Sequence, residues 1–478
     1  MKLPRVMIAA PKSGSGKTII TCGLLAWLKD CGIDVRAYKC GPDYIDPMFH
    51  RRVLGIPGGN LDTFFSGKEE IRAQLSSAGS EAAVIEGVMG IYDGAAGVSG
   101  TGSCYEAAAA TGTPVILVID VKGMGQTMLS VIKGILIGDR QKLIRGIILN
   151  RISERYFEIM RPLIDGMFSD ISDERKVSVE ILGGIPAVKD INLASRHLGL
   201  LMPEEIGDLA EQVDTAKNLV QEHLDTGRLL AIMEQAEELP HEMNRDNSTE
   251  SERNRQKGSE ASDPELTLAV ARDEAFCFYY EENLGAMEKA GIRIIEFSPL
   301  HDDRLPDGAS GILVGGGYPE LYAKELCENK GMRDHIRKAL LDGMPCLAEC
   351  GGFMYLLDEL IDSDRKRYKM CGIIKGSSHN TGRLGRFGYV TVSGSKEGSL
   401  LEGLSIRGHE FHYCDSDNNG SDAEAVKPGS GRSWDCMHVN ETMLAGYPHL
   451  WYPSCMELIE RFRHAMTSYR DKKQIFSL

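Results

Sequence analysis

Lys17 and Thr18, directly after Gly14-Ser15-Gly16, are residue types that take hold of a polyphosphate. Successive backbone N–H groups and a helix N-terminus cradle phosphate oxygens, a lysine reaches the β- and γ-phosphates, and a threonine hydroxyl can ligate Mg2+. A second kind of chemistry is written at Cys350, in Pro345-Cys-Leu-Ala-Glu-Cys350-Gly351-Gly352. An apolar run, small residues at 348, 351 and 352 and a following helical pattern are what a nucleophile elbow needs, because bulky neighbours would block its sharp turn. On this reading the helix N-terminus lowers the thiol pKa. His449, in Ala-Gly-Tyr-Pro-His-Leu-Trp, is the candidate general base. Gly315-Gly316-Gly317 ends another apolar run, and its backbone N–H groups with that of Gly351 are candidates for an oxyanion hole. A buried core thiol is the alternative for any lone cysteine.

These groups need strands and helices to hold them. Val6–Ala10 is an apolar run ahead of the phosphate loop, and Ile20, Leu24, Leu25 and Leu28 follow at helical spacing. Strand, loop and helix in that order favour a purine nucleotide site over an ordinary glycine-rich helix start. Pro11 departs from the pattern, standing where such loops have their first glycine. Further apolar runs at Val35–Cys40, Ala83–Glu86, Pro114–Asp120 and Arg145–Asn150 alternate with helical stretches. That alternation predicts a doubly wound, mostly parallel α/β sheet with its ligands at the carboxyl ends of the strands. Val179–Pro186 reads as an edge strand and Ile206–Ala236 as helix on the outside.

At those carboxyl ends Glu86 is the expected second anchor for Mg2+, a solvated carboxylate being the alternative. Lys39-Cys-Gly-Pro-Asp43-Tyr44-Ile45-Asp46-Pro47 brings two carboxylates and a tyrosine towards the phosphates, or is an Asp-capped turn. Gly87–Gly97, with Tyr92-Asp93-Gly94, is another glycine-rich loop.

With 478 residues, two or more domains are expected. We read 1–238 as the phosphate-loop domain, the charged and polar segment 239–263 as a flexible linker, and 264–478 as a second α/β domain. Strands of the second domain are expected at Leu266–Arg272, Arg293–Phe297, Gly311–Val314, Pro345–Ala348, Arg386–Val392 and Met443–Gly446. A net charge of −15 speaks against nucleic acid or an anionic membrane as a general partner. No apolar run approaches the ~18 residues of a membrane span. A strand begins within a few residues of the N-terminus, which leaves no room for a signal peptide, so a cytoplasmic location is expected. The twelve cysteines are scattered without a Cys-x-x-Cys pair, which suits small buried hydrophobes in a reducing compartment.

Longer motifs carry a resemblance. Gly-Pro-Asp-Tyr-Ile-Asp-Pro-Met-Phe-His from Gly41, Glu-Gly-Val-Met-Gly-Ile-Tyr-Asp-Gly from Glu86 and Arg196-His197-Leu198-Gly199-Leu200 resemble the cobyrinic acid a,c-diamide synthase family. So do Ala271-Arg-Asp-Glu-Ala-Phe, Gly315-Gly-Gly-Tyr-Pro-Glu and Gly408-His-Glu-Phe-His, and together they cover nearly the whole chain outside the linker. The resemblance implies an N-terminal dethiobiotin-synthetase-like P-loop domain and a C-terminal class I glutamine amidotransferase-like α/β domain. It implies a carbon–nitrogen ligase of cobalamin biosynthesis, in which ATP phosphorylates two tetrapyrrole carboxylates and ammonia from L-glutamine displaces each phosphate. An acyl phosphate hydrolyses in water, so the flanking glycine-rich loops would have to shield it.

Carried onto this sequence, Gly14, Ser15, Gly16, Lys17 and Thr18 bind the nucleotide and Thr18, Asp43 and Glu86 hold Mg2+. Tyr44, Ile45 and Asp93 resemble positions concerned with the macrocycle, and Cys350 with His449 would form and hydrolyse a thioester. Trp451 stands where class I amidotransferases have a glutamate two residues after the histidine; the family commonly lacks it, and what orients His449 stays open. His409 and His412 could hold zinc but have no evident third ligand, and the family suggests a structural or substrate-side role. The resemblance leaves room for a homodimer. Two alternatives stand beside it: the sibling Ni-sirohydrochlorin a,c-diamide synthase, and a partitioning-type ATPase, whose extra loop lysine Lys12 would match but which has no use for Cys350 and His449.

Overall fold

Val6, Ile8 and Ala10 enter one hydrophobic core while Leu3, Met7 and Ala9 enter another, as the two-residue period of a strand buried on both faces requires. The computed structural model describes residues 2–97, 99–175, 177–188, 203–240 and 266–475. The chain divides into two compact units, Met1–Asn247 and Ser248–Leu478. The expected linker from residue 241 onward and the motif Arg196–Leu200 lie outside the described residues.

The first unit is built on β1 (Arg5–Ala9), β2 (Val35–Cys40), β3 (Gly58–Leu61), β4 (Ala82–Glu86), β5 (Val115–Asp120), β6 (Ile144–Asn150) and β7 (Glu180–Ile185). They form one parallel sheet in the order β3-β2-β4-β1-β5-β6-β7. Helix α1 (Lys17–Asp30) covers one face through Leu24 and Leu28, joined by Val213 and Val220 of the helix Pro203–His223. Ile71, Leu75, Ala108, Ile132 and Ile164, from helices on the other side, fill the second core. Because β1 lies between β4 and β5, the loops leaving β1, β2 and β4 emerge side by side, which is where a doubly wound sheet binds its ligand.

Strand β3 was not anticipated. Its sequence, Gly-Gly-Asn-Leu, has no β-branched or alternating signal, and a Cβ at Gly58 would meet the Ala37 carbonyl oxygen at 1.6 Å, so the strand can pair this closely only with glycine there. The first unit also continues past residue 238. Leu239 is buried, the Ser76 hydroxyl donates to the Pro240 carbonyl at 2.9 Å, and buried Arg5 donates to the Glu237 carbonyl at 2.7 Å.

The second unit begins with β8 (Leu266–Ala271), β9 (Phe276–Phe278), β10 (Ile292–Phe297), β11 (Gly311–Val314), β12 (Gly316–Gly317) and β13 (Cys346–Glu349). Its main sheet runs β10-β8-β11-β13 in parallel, continues with Met443–Gly446 and ends on the antiparallel pair with His438–Val439. The sequence reading found one strand of the rest, near Arg386–Val392. The unit in fact holds a five-stranded antiparallel sheet, containing Phe387–Gly394, Ser405–Phe411 and His449–Leu450, and a four-stranded sheet around Leu357–Ile361 and Ile374–Asn380. Such strands keep one face towards solvent, so their composition is half polar and reads like loop. Among the described residues, no helix is long and apolar enough to cross a membrane.

Candidate active sites

In the first unit the backbone of the phosphate loop is shaped by glycine. Gly14 and Gly16 have φ of 73° and 93°, a left-handed conformation that side chains disfavour. A Cβ at Gly16 would meet Asn150 Nδ2 at 2.2 Å. That contact exists because Asn150, at the end of β6, donates to the Ser15 carbonyl at 2.8 Å, while Arg151 Nη2 donates to the Gly14 carbonyl at 2.9 Å. Ser15 is buried and donates to the Lys12 carbonyl at 3.0 Å. Helix α1 starts at Gly16 with no side-chain cap, which leaves its first N–H groups to a ligand. Lys17 is folded back, donating to the carbonyls of Met89 at 2.9 Å and Lys12 at 3.3 Å. Lys12, the extra loop lysine of the partitioning-ATPase alternative, is largely exposed, and its Nζ lies 4.0 Å from Asp120.

Glu86 and Thr18 meet here: the Thr18 hydroxyl donates to Glu86 Oε1 at 2.6 Å. Between them and the loop after β2 stands Lys39, a residue given no role from sequence. Its buried Nζ donates to Glu86 Oε1 at 2.9 Å and to Asp46, and lies 3.9 Å from Asp43. Burial works against the Lys39 charge, but Asp46, Glu86 and Asp43 outweigh it and hold the ammonium well above the usual lysine range. Burial, reinforced by Asp46, raises Glu86 to about 7. Burial also pushes Asp46 up, but Lys39 and His50 pull it below the ordinary carboxylate value. Lys39 thus bridges the carboxylates of Glu86 and Asp46 and faces that of Asp43. Among the described residues, Glu86 Oε2 is buried without a hydrogen-bond partner. An orphaned carboxylate oxygen beside a threonine hydroxyl at a phosphate loop fits a divalent cation, with Thr18 and Glu86 as the residues that would hold it.

Asp43 accepts the N–H groups of Ile45 at 2.8 Å and Asp46 at 3.1 Å, so it shapes the start of the helix Ile45–Arg52 as well as facing Lys39. Tyr44 is buried at the start of that helix and Ile45 is half-buried. Asn60 of β3 clamps this loop by donating to the carbonyls of Gly41 at 2.9 Å and Asp43 at 2.8 Å. Asp93 is exposed, and its carboxylate accepts the Gly90 N–H at 3.0 Å within the loop after β4.

In the second unit Cys350 stands between β13 and the helix Gly351–Leu356 with φ 49° and ψ −103°. A non-glycine residue in this region costs about 1–3 kcal/mol and is held there by its surroundings. The Cys350 N–H donates to the Gly446 carbonyl at 2.8 Å, and Gly352 donates to Gly315 at 2.9 Å, which ties the elbow to its neighbouring strands. A Cβ at Gly351 would lie 3.2 Å from the Gly317 nitrogen, so the backbones of these two glycines lie against one another. Gly316 lies instead against His449: a Cβ there would meet its Cε1 at 2.4 Å.

His449 is buried on a short strand paired in register with His409, and the two rings stack with centroids 4.9 Å apart. His409 Nδ1 is 3.1 Å from the Tyr280 hydroxyl. His412 bonds Glu410 through Nε2 at 2.8 Å and the Cys414 carbonyl through Nδ1 at 2.6 Å. The expected lowering of the Cys350 pKa is not what the site produces. Burial, with Glu320 adding, raises the thiol pKa, and the Gly351 N–H opposes this only in part. Burial and then His409 and His412 hold His449 well below the usual histidine value. Burial thus favours the neutral form of both the Cys350 thiol and the His449 imidazole.

The model of the CobQ/CobB/MinD/ParA nucleotide binding domain matches residues 6–200, and that of the CobB/CobQ-like glutamine amidotransferase domain matches residues 267–454. Proteins named cobyrinate a,c-diamide synthase are similar over nearly the full length. That of Clostridium tetani is 35% identical over 460 residues, covering 95% of this chain and 98% of its own. The Caldanaerobacter subterraneus subsp. tengcongensis protein is 34% identical over 472 residues (98% and 99%), and the Clostridium acetobutylicum protein 36% identical over 452 residues (94% and 97%). The chain therefore belongs to the cobyrinate a,c-diamide synthase family and is a glutamine-dependent, amide-forming ligase with a nucleotide-binding domain and a glutamine amidotransferase domain.

Proposed function

We propose that this protein uses ATP and glutamine to convert the a- and c-side-chain carboxylates of cobyrinic acid to amides through acyl phosphates. The observation that carries the reading is the meeting of Lys17, Thr18 and Glu86 at the phosphate loop, in a chain whose second unit holds a strained cysteine elbow. A carboxylate is a poor acyl donor, and a carboxylate oxygen attacking the γ-phosphorus, with ADP leaving, supplies the missing leaving group. Ammonia then adds to the acyl carbon, the carbon–oxygen bond to phosphate breaks, and the amide loses a proton. Lys17 leaves its backbone carbonyls for the phosphates, and the first N–H groups of α1 receive their charge. Thr18 and Glu86 would hold Mg2+, which supplies charge neutralisation on the phosphates.

In the amidotransferase unit Cys350 attacks the glutamine amide carbon, His449 takes the thiol proton and passes it to the departing ammonia, and water hydrolyses the thioester to glutamate. The N–H groups of Gly317 and Gly351 receive the developing oxyanion.

The test uses cobyrinic acid labelled with 18O in its carboxylates. The label should appear in inorganic phosphate in step with amide formation, and unlabelled phosphate alongside amide product would rule out the acyl phosphate. Cys350→Ala should abolish glutamine-driven amidation and keep ammonia-driven amidation; loss of both would sink the two-site scheme.

A further inference from the structure

Trp451, buried against Tyr280, occupies the place of the glutamate that usually follows an amidotransferase histidine. We infer that Glu349, the residue immediately before the nucleophile, is the carboxylate that positions His449. This rests on the glutaminase reading of Cys350 and His449. Glu349 ends β13, whose register sets it opposite Gly446, three residues before the histidine. Its side chain is buried and its Oε2 lies 3.9 Å from His449 Nδ1. Its other oxygen is pinned by two donors from beyond the histidine, the Tyr452 hydroxyl at 2.7 Å and the Leu450 N–H at 3.3 Å. The usual arrangement is thus inverted. The segment after the histidine supplies donors, and the carboxylate they hold comes from the nucleophile's own strand.

The neighbouring acid is already committed: Glu410 accepts from Trp434 Nε1 at 3.0 Å and pairs with His412 at 2.8 Å. Gly316 blocks movement of the His449 ring on its Cε1 side, and His409 stacks on its face. A contact of 3.9 Å before substrate binds is in keeping with catalytic hydrogen bonds that tighten only in the reacting complex. When His449 takes the Cys350 proton, the new imidazolium faces the Glu349 carboxyl in a buried site, where charges interact more strongly than in bulk water. Burial raises Glu349 to about 8, and a positive charge on the imidazole beside it would draw that value back down.

Glu349→Gln separates orientation from mere structure, since the amide oxygen still accepts from Tyr452 and Leu450 but carries no charge. Glutamine-driven kcat should fall about tenfold or more, with the KM for glutamine and the ammonia-driven rate unchanged. The pH profile of glutamine-driven kcat should shift, whereas that of ammonia-driven kcat should not. The groups that face the pair, His409, His412, Glu410, Glu320, Tyr452 and Cys350, are present in both proteins, so the shift reports Glu349. Wild-type glutamine turnover in Glu349→Gln overturns the inference, as does an equal loss with ammonia. If that variant does not fold, Glu349→Asp serves, with the same selective loss expected and wild-type turnover again overturning it. Cys350→Ala is assayed alongside: glutamine-driven turnover retained there would overturn the glutaminase reading instead.

Discussion

Replacing Gly316 by alanine challenges the glutaminase geometry with a single carbon. The new Cβ would stand 2.4 Å from His449 Cε1, 3.3 Å from Nδ1 and 3.3 Å from Phe278 Cβ. Carbon atoms settle at ~3.5–4.0 Å, so the imidazole or strand β12 has to yield by about 1 Å. Gly316 is not among the positive-φ glycines, so no backbone strain clouds the result. The ring itself is closed in, at 1% exposure and stacked on His409. Misplacing a catalytic group by ~1 Å costs on the order of 100-fold in rate, about 2.7 kcal/mol in the barrier. Overpacking adds about 1–3 kcal/mol of lost stability, which a melting curve separates from the catalytic effect. The assay compares steady-state amidation driven by glutamine and by ammonia on the same preparation. Only the glutamine-driven rate should collapse. Wild-type turnover with glutamine would show that the ring contact is not where the base works.

Other perturbations bear on the first unit and on the buried acids. Lys17→Ala should lower ATP-dependent synthesis by ~100-fold or more with either nitrogen source if its ammonium serves the transferring phosphate as proposed, and near-normal ammonia-driven rate would refute the nucleotide assignment. Lys39→Ala strips the charge that gathers Asp46, Glu86 and Asp43, so stability should fall by about 3–5 kcal/mol in denaturant titrations. Added Mg2+ should restore part of it; an unchanged midpoint would mean that Lys39 is not the centre of that nest. Glu349 predicts a stability slope with pH. Burial raises it from the ordinary 4.5 to about 8, so the folded protein keeps a proton that the unfolded chain releases. Its contribution therefore worsens as pH rises through that window, by up to ~5 kcal/mol at about 1.4 kcal/mol per pH unit. Glu349→Gln should gain on wild type between about pH 4.5 and 8, and a constant difference across that range would contradict the sign.

Where a residue's role depends on strand pattern, the sequence was legible. Apolar, β-branched runs such as Val115–Asp120 and Gly311–Val314 coincide with strands because both faces are buried and nothing else competes for that composition. The phosphate loop and the cysteine elbow follow, since glycine spacing after a strand leaves few other backbone paths. The antiparallel strands of the second unit were missed because half their residues face water. Asn60 was missed with β3, whose glycines are required by a close approach that only the folded sheet reveals. Lys39 and Glu349 are more instructive. Glu86 ends an apolar strand, and Cys-Leu-Ala-Glu349 has the same form, but the cysteine beside it carries the stronger signal. Lys39 sits on a strand otherwise rich in buried residues, and a buried lysine implies acids around it. Which acids these are is tertiary information. The shift of the Cys350 thiol went the other way from expectation for a similar reason: burial and nearby carboxylates, invisible in sequence, outweigh one helix terminus.

The central claim is that ammonia drawn from glutamine becomes the two side-chain amides of cobyrinic acid. Mass spectrometry after incubation of the enzyme with ATP, Mg2+ and amide-15N-glutamine, on cobyrinic acid and on nickel sirohydrochlorin in parallel, tests it most directly. The expected result is cobyrinic acid carrying two 15N-labelled amides and nickel sirohydrochlorin unchanged. Unmodified cobyrinic acid, or labelled amides on the nickel compound alone, would contradict it.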